Sequence, residues 1–439
     1  MSLKSCIAEF IPHICTFLGP VDIASLRLVS RDLCAKANAA FASASFEVVE
    51  TDLSAESIKV LDAIARHHEF RLCVRTVRIL RRSTSEYVHR PLNLTARHRP
   101  PKATAALDFC EPNVVASIYD TWRRFDNCCA FEICDSPGVF DDDNVLALGL
   151  SPANVIRLVT SALASDVRSP VALRVYIQRE VQHKEASPVQ LSSLTTVTSG
   201  MSSIRDLTIL WSIEANDTAL AVKLVKDAPF LERLHLNFVS SLHADLVMAG
   251  LANAPFLPPI QQLRIGSMHL ATGKHLAAVL IHLRHLLCEL HIGAVHLHKN
   301  DWSWLFRKLS QNDFPFLKRI AVCAIRAPDA AGGSTAANLY FCPLRLDQRL
   351  LESCAGAFEF MLSPCRGKMR VGGIRFTGQG ASMKLALDAL ASESSYYLLC
   401  RSSRLPSPGH PNMRTFAEAR VGRLVPSFVH VKIWDGVHT

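Results

Sequence analysis

The chain has no C-x-x-C pair, no catalytic signature and no apolar run long enough to span a bilayer. Its 14 cysteines are scattered through 439 residues. That pattern excludes a disulfide scaffold and fits reduced thiols used as small buried hydrophobes. Cys128, Cys129 and Cys134 cluster locally but lack a second pair at zinc-finger spacing. A membrane helix needs about 18–20 apolar residues. The best candidate, His275 to Ile292, is broken by His282, Arg284, His285 and Glu289. At the N-terminus Glu9, Pro12 and His13 interrupt the apolar stretch after Lys4, and no small-residue cleavage site follows. A cytoplasmic and/or nuclear protein with no membrane partner is expected.

The motifs of catalysis are missing as well. There is no G-x-S-x-G, no H-E-x-x-H and no phosphate-cradling loop. Asp141-Asp-Asp143 lacks the glycine and glutamate of a calcium loop. His282 and His285 share a helical face, but no carboxylate or cysteine completes a ligand set. No catalytic residue, metal or cofactor is assigned, and a non-enzymatic protein is expected.

Acidic residues are scarce in one segment. Nine of the residues from Arg71 to Lys102 are Lys or Arg, against the single acid Glu86, within a chain of net charge +9. Much of the segment is rich in Pro and Ser and lacks periodicity, which is a loop composition. No aromatics interleave with the charges to stack on single strands. It reads as a solvated insertion, and nucleic acid is not an expected partner.

Two patterns are present in strength. The first lies near the N-terminus, where Glu9, Phe10, Ile11, Ile14 and Leu18 repeat at helical spacing until Gly19-Pro20 stops the helix. Asp22 is placed as an N-terminal acceptor for a second helix carrying Leu26, Leu28 and Val29. Ser30 can cap a third, with Leu33, Ala37 and Ala40 on its apolar face. Three such helices give a small core that wants a partner.

The second pattern is apolar-x-x-apolar-x-apolar, repeated every 27–30 residues. It runs Ile204/Leu207/Ile209, Leu231/Leu234/Leu236, Ile260/Leu263/Ile265, Leu287/Leu290/Ile292 and Leu317/Ile320/Val322. Helical segments lie between: Asp217 to Lys226, Leu242 to Leu251, Lys274 to Leu286 and Trp302 to Leu309, the last with Asn300 as its cap. Echoes occur at Val74/Val77/Ile79, Val371/Ile374/Phe376 and Phe428/Val431/Ile433. A helix starting at Ser151-Pro152 leads to a strand at Ala172 to Ile177, and Ser187-Pro188 begins another helix. Even spacing of strand–helix units means a solenoid with parallel strands stacked on one face.

The first pattern resembles the F-box, the helical module that binds the adaptor of SCF-type ubiquitin ligases. Residues 6–46 carry the resemblance, above all Asp22-Ile-Ala-Ser-Leu-Arg-Leu-Val-Ser-Arg31. Cys6 and Ile7 stand where most F-boxes have Leu-Pro, which removes a pre-set first turn. The second pattern resembles leucine-rich repeats of the long type, without the Asn or Cys that usually follows the strand. The segment Leu53 to Phe70 with Val74-Arg-Thr-Val-Arg-Ile79 is similar to fungal F-box proteins. The resemblances imply an α/β fold: a three-helix F-box at 1–46, then an irregular leucine-rich-repeat-like solenoid at 47–439 with a parallel sheet on its concave face. The repeats are clearest at 200–325, and loops are expected at 81–107, 135–145 and 327–343.

The implied function is substrate recognition in an SCF-type (cullin-RING) ubiquitin ligase. Phe10, Ile11, Ile14, Leu18, Ile23, Leu26 and Leu28 form the expected adaptor-facing and hairpin-core set, with cullin reached through the adaptor. The residue between the last two anchors of each strand gives a cationic column: Arg78, Thr208, His235, Arg264, His291, Ala321, Arg375 and Lys432. Arg78, His235, Arg264, His291 and Arg375 are the candidate substrate-binding residues, for an acidic or phosphorylated segment. The alternative is a scaffold whose F-box no longer recruits a ligase.

Overall fold

Helix α1 (Phe10–Cys15) is followed by α2 (Pro20–Val29) and α3 (Arg31–Phe46). Pro20 occupies the first turn of α2 behind an extended Gly19, a position where its missing N–H costs nothing. The helix therefore starts before Asp22, which sits inside the first turn instead of capping it. Ser30 does cap α3, its hydroxyl accepting from the Leu33 N–H at 3.2 Å. Ile11, Cys15, Ile23, Leu33 and Ala37 form the buried centre, with Ile14, Leu18, Leu26, Ala40 and Phe41 packed around it. The Arg27 guanidinium lies 3.8 Å from the centre of the Phe41 ring and donates to Asn38 at 3.0 Å.

The computed structural model describes residues 10–82, 112–136, 152–164, 172–177, 200–212, 217–238, 243–297, 299–323, 326–328, 336–338, 357–365, 368–393 and 430–433. The helix expected at Ser187-Pro188 and the acidic turn at Asp141 lie outside them. The chain divides into two compact units, Met1–Ile204 and Arg205–Thr439. The division falls inside the expected solenoid and not at the 46/47 boundary. No helix among the described residues is long and apolar enough to cross a membrane.

In the first unit the helical hairpin leads directly into β1 (Val48–Thr51), α4 (Ala55–Arg66), α5 (Phe70–Cys73) and β2 (Thr76–Arg82). Then come α6 (Pro112–Arg123), β3 (Ala130–Ser136), α7 (Pro152–Ala164) and β4 (Ala172–Ile177). Rings from α3 and α5 bind the hairpin to the first strand–helix unit: Phe46 stacks on Phe70 at 4.4 Å, and Phe41 meets both edge-on. The four strands are parallel and in register, so Glu50, Arg78, Glu132 and Arg174 stand side by side. Strand β1 has no repeat signature and was not expected. Strands β2 and β3 extend into the expected loops 81–107 and 135–145 as far as Arg82 and Ser136.

The second unit alternates strand and helix: β5 (Asp206–Trp211), α8 (Thr218–Lys226), β6 (Arg233–Asn237), α9 (Ala244–Ala252) and β7 (Gln262–Gly266). It continues through α10 (Gly273–His282), β8 (Glu289–Gly293), α11 (Lys299–Ser310) and β9 (Arg319–Cys323). Helix α11 starts one residue ahead of its expected cap, Asn300. Every anchor of the five repeats is buried, none more than 3% exposed. At about 25 cal/mol per Å² of apolar surface, these anchors hold the strands in one register. After β7 and β8, Ser267 (φ 45°) and Ala294 (φ 51°) turn the chain through the left-handed region. The turn carries Met268 and Val295 into the core and brings the next two residues, His269 and His296, into stacked contact at 3.8 Å.

Beyond β9 the pattern changes. Strands β10 (Arg326–Pro328) and β11 (Ala336–Asn338) form an antiparallel pair inside the expected loop 327–343. Strand β12 (Ala357–Cys365), which had no sequence signature, pairs antiparallel with β13 (Lys368–Thr377), and β13 pairs antiparallel with β9. The echo at Val371/Ile374/Phe376 is thus a strand of reversed direction, not another parallel repeat. Helix α12 (Ala381–Glu393) follows, and β14 (His430–Ile433) joins β12 in parallel.

Glu132, 7% exposed, accepts from Arg78 at 2.9 Å and from Arg174 at 2.7 Å. Glu132→Gln leaves two half-covered guanidiniums without their shared anion and is expected to cost about 2 kcal/mol in denaturant unfolding of the full chain. Glu50→Gln, at the row's open end, should cost under about 1 kcal/mol.

Candidate functional site

The hairpin residues named from sequence separate into two roles. Ile11 and Ile23 are buried, and Ile14, Leu18 and Leu26 are half-buried against them, so these five hold the hairpin together. Phe10 is 56% exposed and Leu28 89%. Three further apolar side chains share that exposure and were not in the sequence set: Phe17 at 78%, Val21 and Val29. Helical periodicity marks which residues are apolar, but with two faces both apolar it does not say which one packs inward. Phe10, Phe17, Val21, Leu28 and Val29 are apolar side chains left outside that core and exposed.

The column expected on the sheet divides between the units. Arg78 belongs to the first, where it bonds Glu50 and Glu132, each at 2.9 Å. The row Glu50–Arg78–Glu132–Arg174 alternates in sign and neutralises itself. Arg78 is therefore held in a structural ion-pair row, in place of the substrate-binding role expected of it. Sequence reading missed this because the acids lie on strands paired from far along the chain.

In the second unit the expected column is a true row. Thr208, His235, Arg264, His291, Ala321 and Arg375 follow one another across β5, β6, β7, β8, β9 and β13. The row then continues to Glu359 on β12 and His430 on β14, whereas Lys432 registers with Met361 and leaves the row. One step toward the strand starts, Asp206 pairs with Arg233 at 3.2 Å and Glu289 with Arg319 at 3.1 Å. From β5 to β9 the middle row holds no acid.

Two glycines shape the face. Gly266 and Gly293 stand in register, two residues beyond Arg264 and His291, and leave room for neighbouring side chains to approach the backbone. A methyl at Gly293 would lie 3.3 Å from both the Cys323 sulfur and His291 Nε2, and one at Gly266 would lie 3.4 Å from the Asn237 amide. The doubled stretch Ile265-Gly-Ser-Met-His-Leu270 and Ile292-Gly-Ala-Val-His-Leu297 encodes this shelf. It is the repeat signal that a search for apolar anchors alone passes over.

His291 Nε2 lies 3.3 Å from Cys323 Sγ, a contact that invites comparison with a thiol nucleophile and its base. The chemistry runs the other way. Burial pushes the Cys323 thiol up to about 11 despite the Arg375 charge. Burial, then Arg264, His235 and Arg375, bring the His291 imidazole down to about 4. A neutral thiol beside a neutral imidazole is not an activated pair. In the first unit, burial and the charge of Glu132 likewise push Cys134 up to about 12. Among the described residues no three His, Cys, Asp or Glu side chains are grouped to hold a metal.

The low value at His291 has a consequence for stability. The unfolded chain binds a proton there near pH 6.5, whereas the folded chain does not until about 4. The folded state thus loses stability as pH falls from about 6.5 toward 4, and none above that window. His235 is lowered in the same direction by burial and then Arg264. Between about pH 7.5 and pH 4.5, His291→Gln should lose about 2 kcal/mol less than the parent chain in urea unfolding. An equal loss in both would show that His291 carries none of it.

No protein-family model matches this chain, and no curated protein matches it.

Proposed function

We propose that the protein is the substrate-recognition subunit of an SCF-type ubiquitin ligase, with the hairpin at 10–46 acting as an F-box. The observation that carries the proposal is the exposed apolar set Phe10, Phe17, Val21, Leu28 and Val29 on a three-helix module whose core is built from other residues. A surface of that kind is stabilised by a partner, and the sequence from Asp22 to Arg31 resembles the module that the SCF adaptor binds. Cullin would be reached through the adaptor. The strand–helix units supply the second requirement, a sheet face that captures a protein substrate. The ligase and conjugating subunits would provide the chemistry, and the receptor's contribution is positioning.

The departure at Cys6-Ile7 favours a second reading, a scaffold that binds substrate without recruiting a ligase. Co-purification separates the two, because a receptor brings down both adaptor and cullin and a scaffold brings down neither. Phe17→Asp combined with Leu28→Asp should abolish adaptor capture while leaving the unfolding midpoint of the chain unchanged, since both side chains face outward. Ile23→Ala, in the core, should instead cost about 2–4 kcal/mol of hairpin stability. Adaptor capture that persists in the Asp double variant would overturn the F-box reading.

A further inference from the structure

On the second unit's sheet face, Arg264 is exposed between two half-buried imidazoles. His235 and His291 are its register partners on β6 and β8, one strand spacing away on either side, about 4.8 Å. No described carboxylate bonds Arg264, whereas Arg233 and Arg319 in the flanking row each hold one. Beside this trio Gly266 and Gly293 let the Asn237, Cys323 and His291 side chains approach the backbone closely. The Asn237 carboxamide lies over Gly266, and its Oδ1 is buried without a hydrogen-bond partner. A planar guanidinium flanked by two imidazoles matches a flat or tetrahedral oxyanion.

We propose that Arg264, His235 and His291 form an oxyanion site in which anion binding is coupled to proton uptake by the two imidazoles. The proposal rests on the reading of this face as the substrate-capturing surface. It specifies what the face selects: a phosphoryl or carboxylate group carried on an extended segment.

The coupling follows from the charges around each ring. His291 faces Arg264 and Gln262 on β7, Ala321, Arg319 and Cys323 on β9, and Glu289 on its own strand, with His235 and Arg375 one strand further away on either side. His235 faces Thr208 and Asp206 on β5, Arg264 and Gln262 on β7, and Arg233 and Asn237 on its own strand. Burial and Arg264 hold both rings neutral, and only Asp206 pulls the other way, at His235. An anion on Arg264 offsets that repulsion, the second cause after burial, so the proton affinity of each ring rises, and a protonated ring donates from both nitrogens. Linkage makes the effect mutual: if the anion raises proton affinity, protons raise anion affinity by the same factor.

Sulfate is the clean probe, because its charge stays fixed through the range in which the imidazoles titrate. The full chain, with histidines isotopically labelled, is titrated with sodium sulfate at about pH 5.5 and about pH 7.5 against chloride of equal ionic strength. Sulfate should bind measurably tighter at the lower pH, with about tenfold as the ceiling that one unit of pKa change in one ring can give, and the His235 and His291 ring resonances should titrate at higher pH with sulfate present. Arg264→Gln should abolish binding. His235→Gln with His291→Gln should keep the Arg264-dependent binding but flatten its pH dependence. Equal affinity at both pH values, or binding that survives Arg264→Gln, would overturn the proposal.

Extended peptides bearing a phosphoserine or a glutamate then identify the source, since the one that displaces sulfate at lower concentration names the group. Displacement by neither would refute a site for extended segments. No adaptor is present in these titrations, so their failure leaves the docking role of the hairpin untouched.

Discussion

Parallel pairing in strict register is the constraint on which the rest of the structure depends. Apolar anchors such as Leu234, Leu263, Leu290 and Ile320 must all enter the same core, which forbids a one-residue slip between strands. Once the anchors are fixed, whatever lies between them is aligned too. Residues nearly thirty apart in sequence become lateral neighbours, and their charges add or cancel according to a choice made at one position per repeat.

The two units use that position differently. In the first, acid and base alternate from Glu50 to Arg174, and the row is closed on itself. In the second, the same position carries Thr208, His235, Arg264, His291 and Ala321, and no acid stands in that row from β5 to β9. Identical backbone pairing therefore gives a self-neutralised row in one unit and a row without acids from β5 to β9 in the other. The imidazoles temper that surface: burial and the Arg264 charge disfavour their protonated forms, which limits the self-repulsion of the row.

The repeat itself encodes most of what was legible in the sequence. The five anchor triplets, the helices between them and the in-register run from Thr208 to Arg375 all come from period and alternation. Strands β1 and β12 were not legible, because neither has the anchor triplet, and the reversal of β13 was hidden because an apolar alternation looks the same in both directions. Arg78 was misread for a related reason, since its acids Glu50 and Glu132 are 28 and 54 residues away. At the hairpin, sequence named the apolar residues but not their facing. Ile23 and Leu28 look alike on a helical wheel until the third helix decides which is covered.

The aromatic contact between Phe46 and Phe70 settles how the hairpin is mounted. A module joined by a Gly- or Ser-rich tether would sweep out a volume, and anything it held would arrive at random angles. Here two stacked rings and the edge-on Phe41 pack the third helix against the helix that precedes the second strand. Within the first unit the hairpin is a bracket and not a leash: a partner seated on Phe17 and Leu28 inherits one orientation, set by the side chains of Phe41, Phe46 and Phe70.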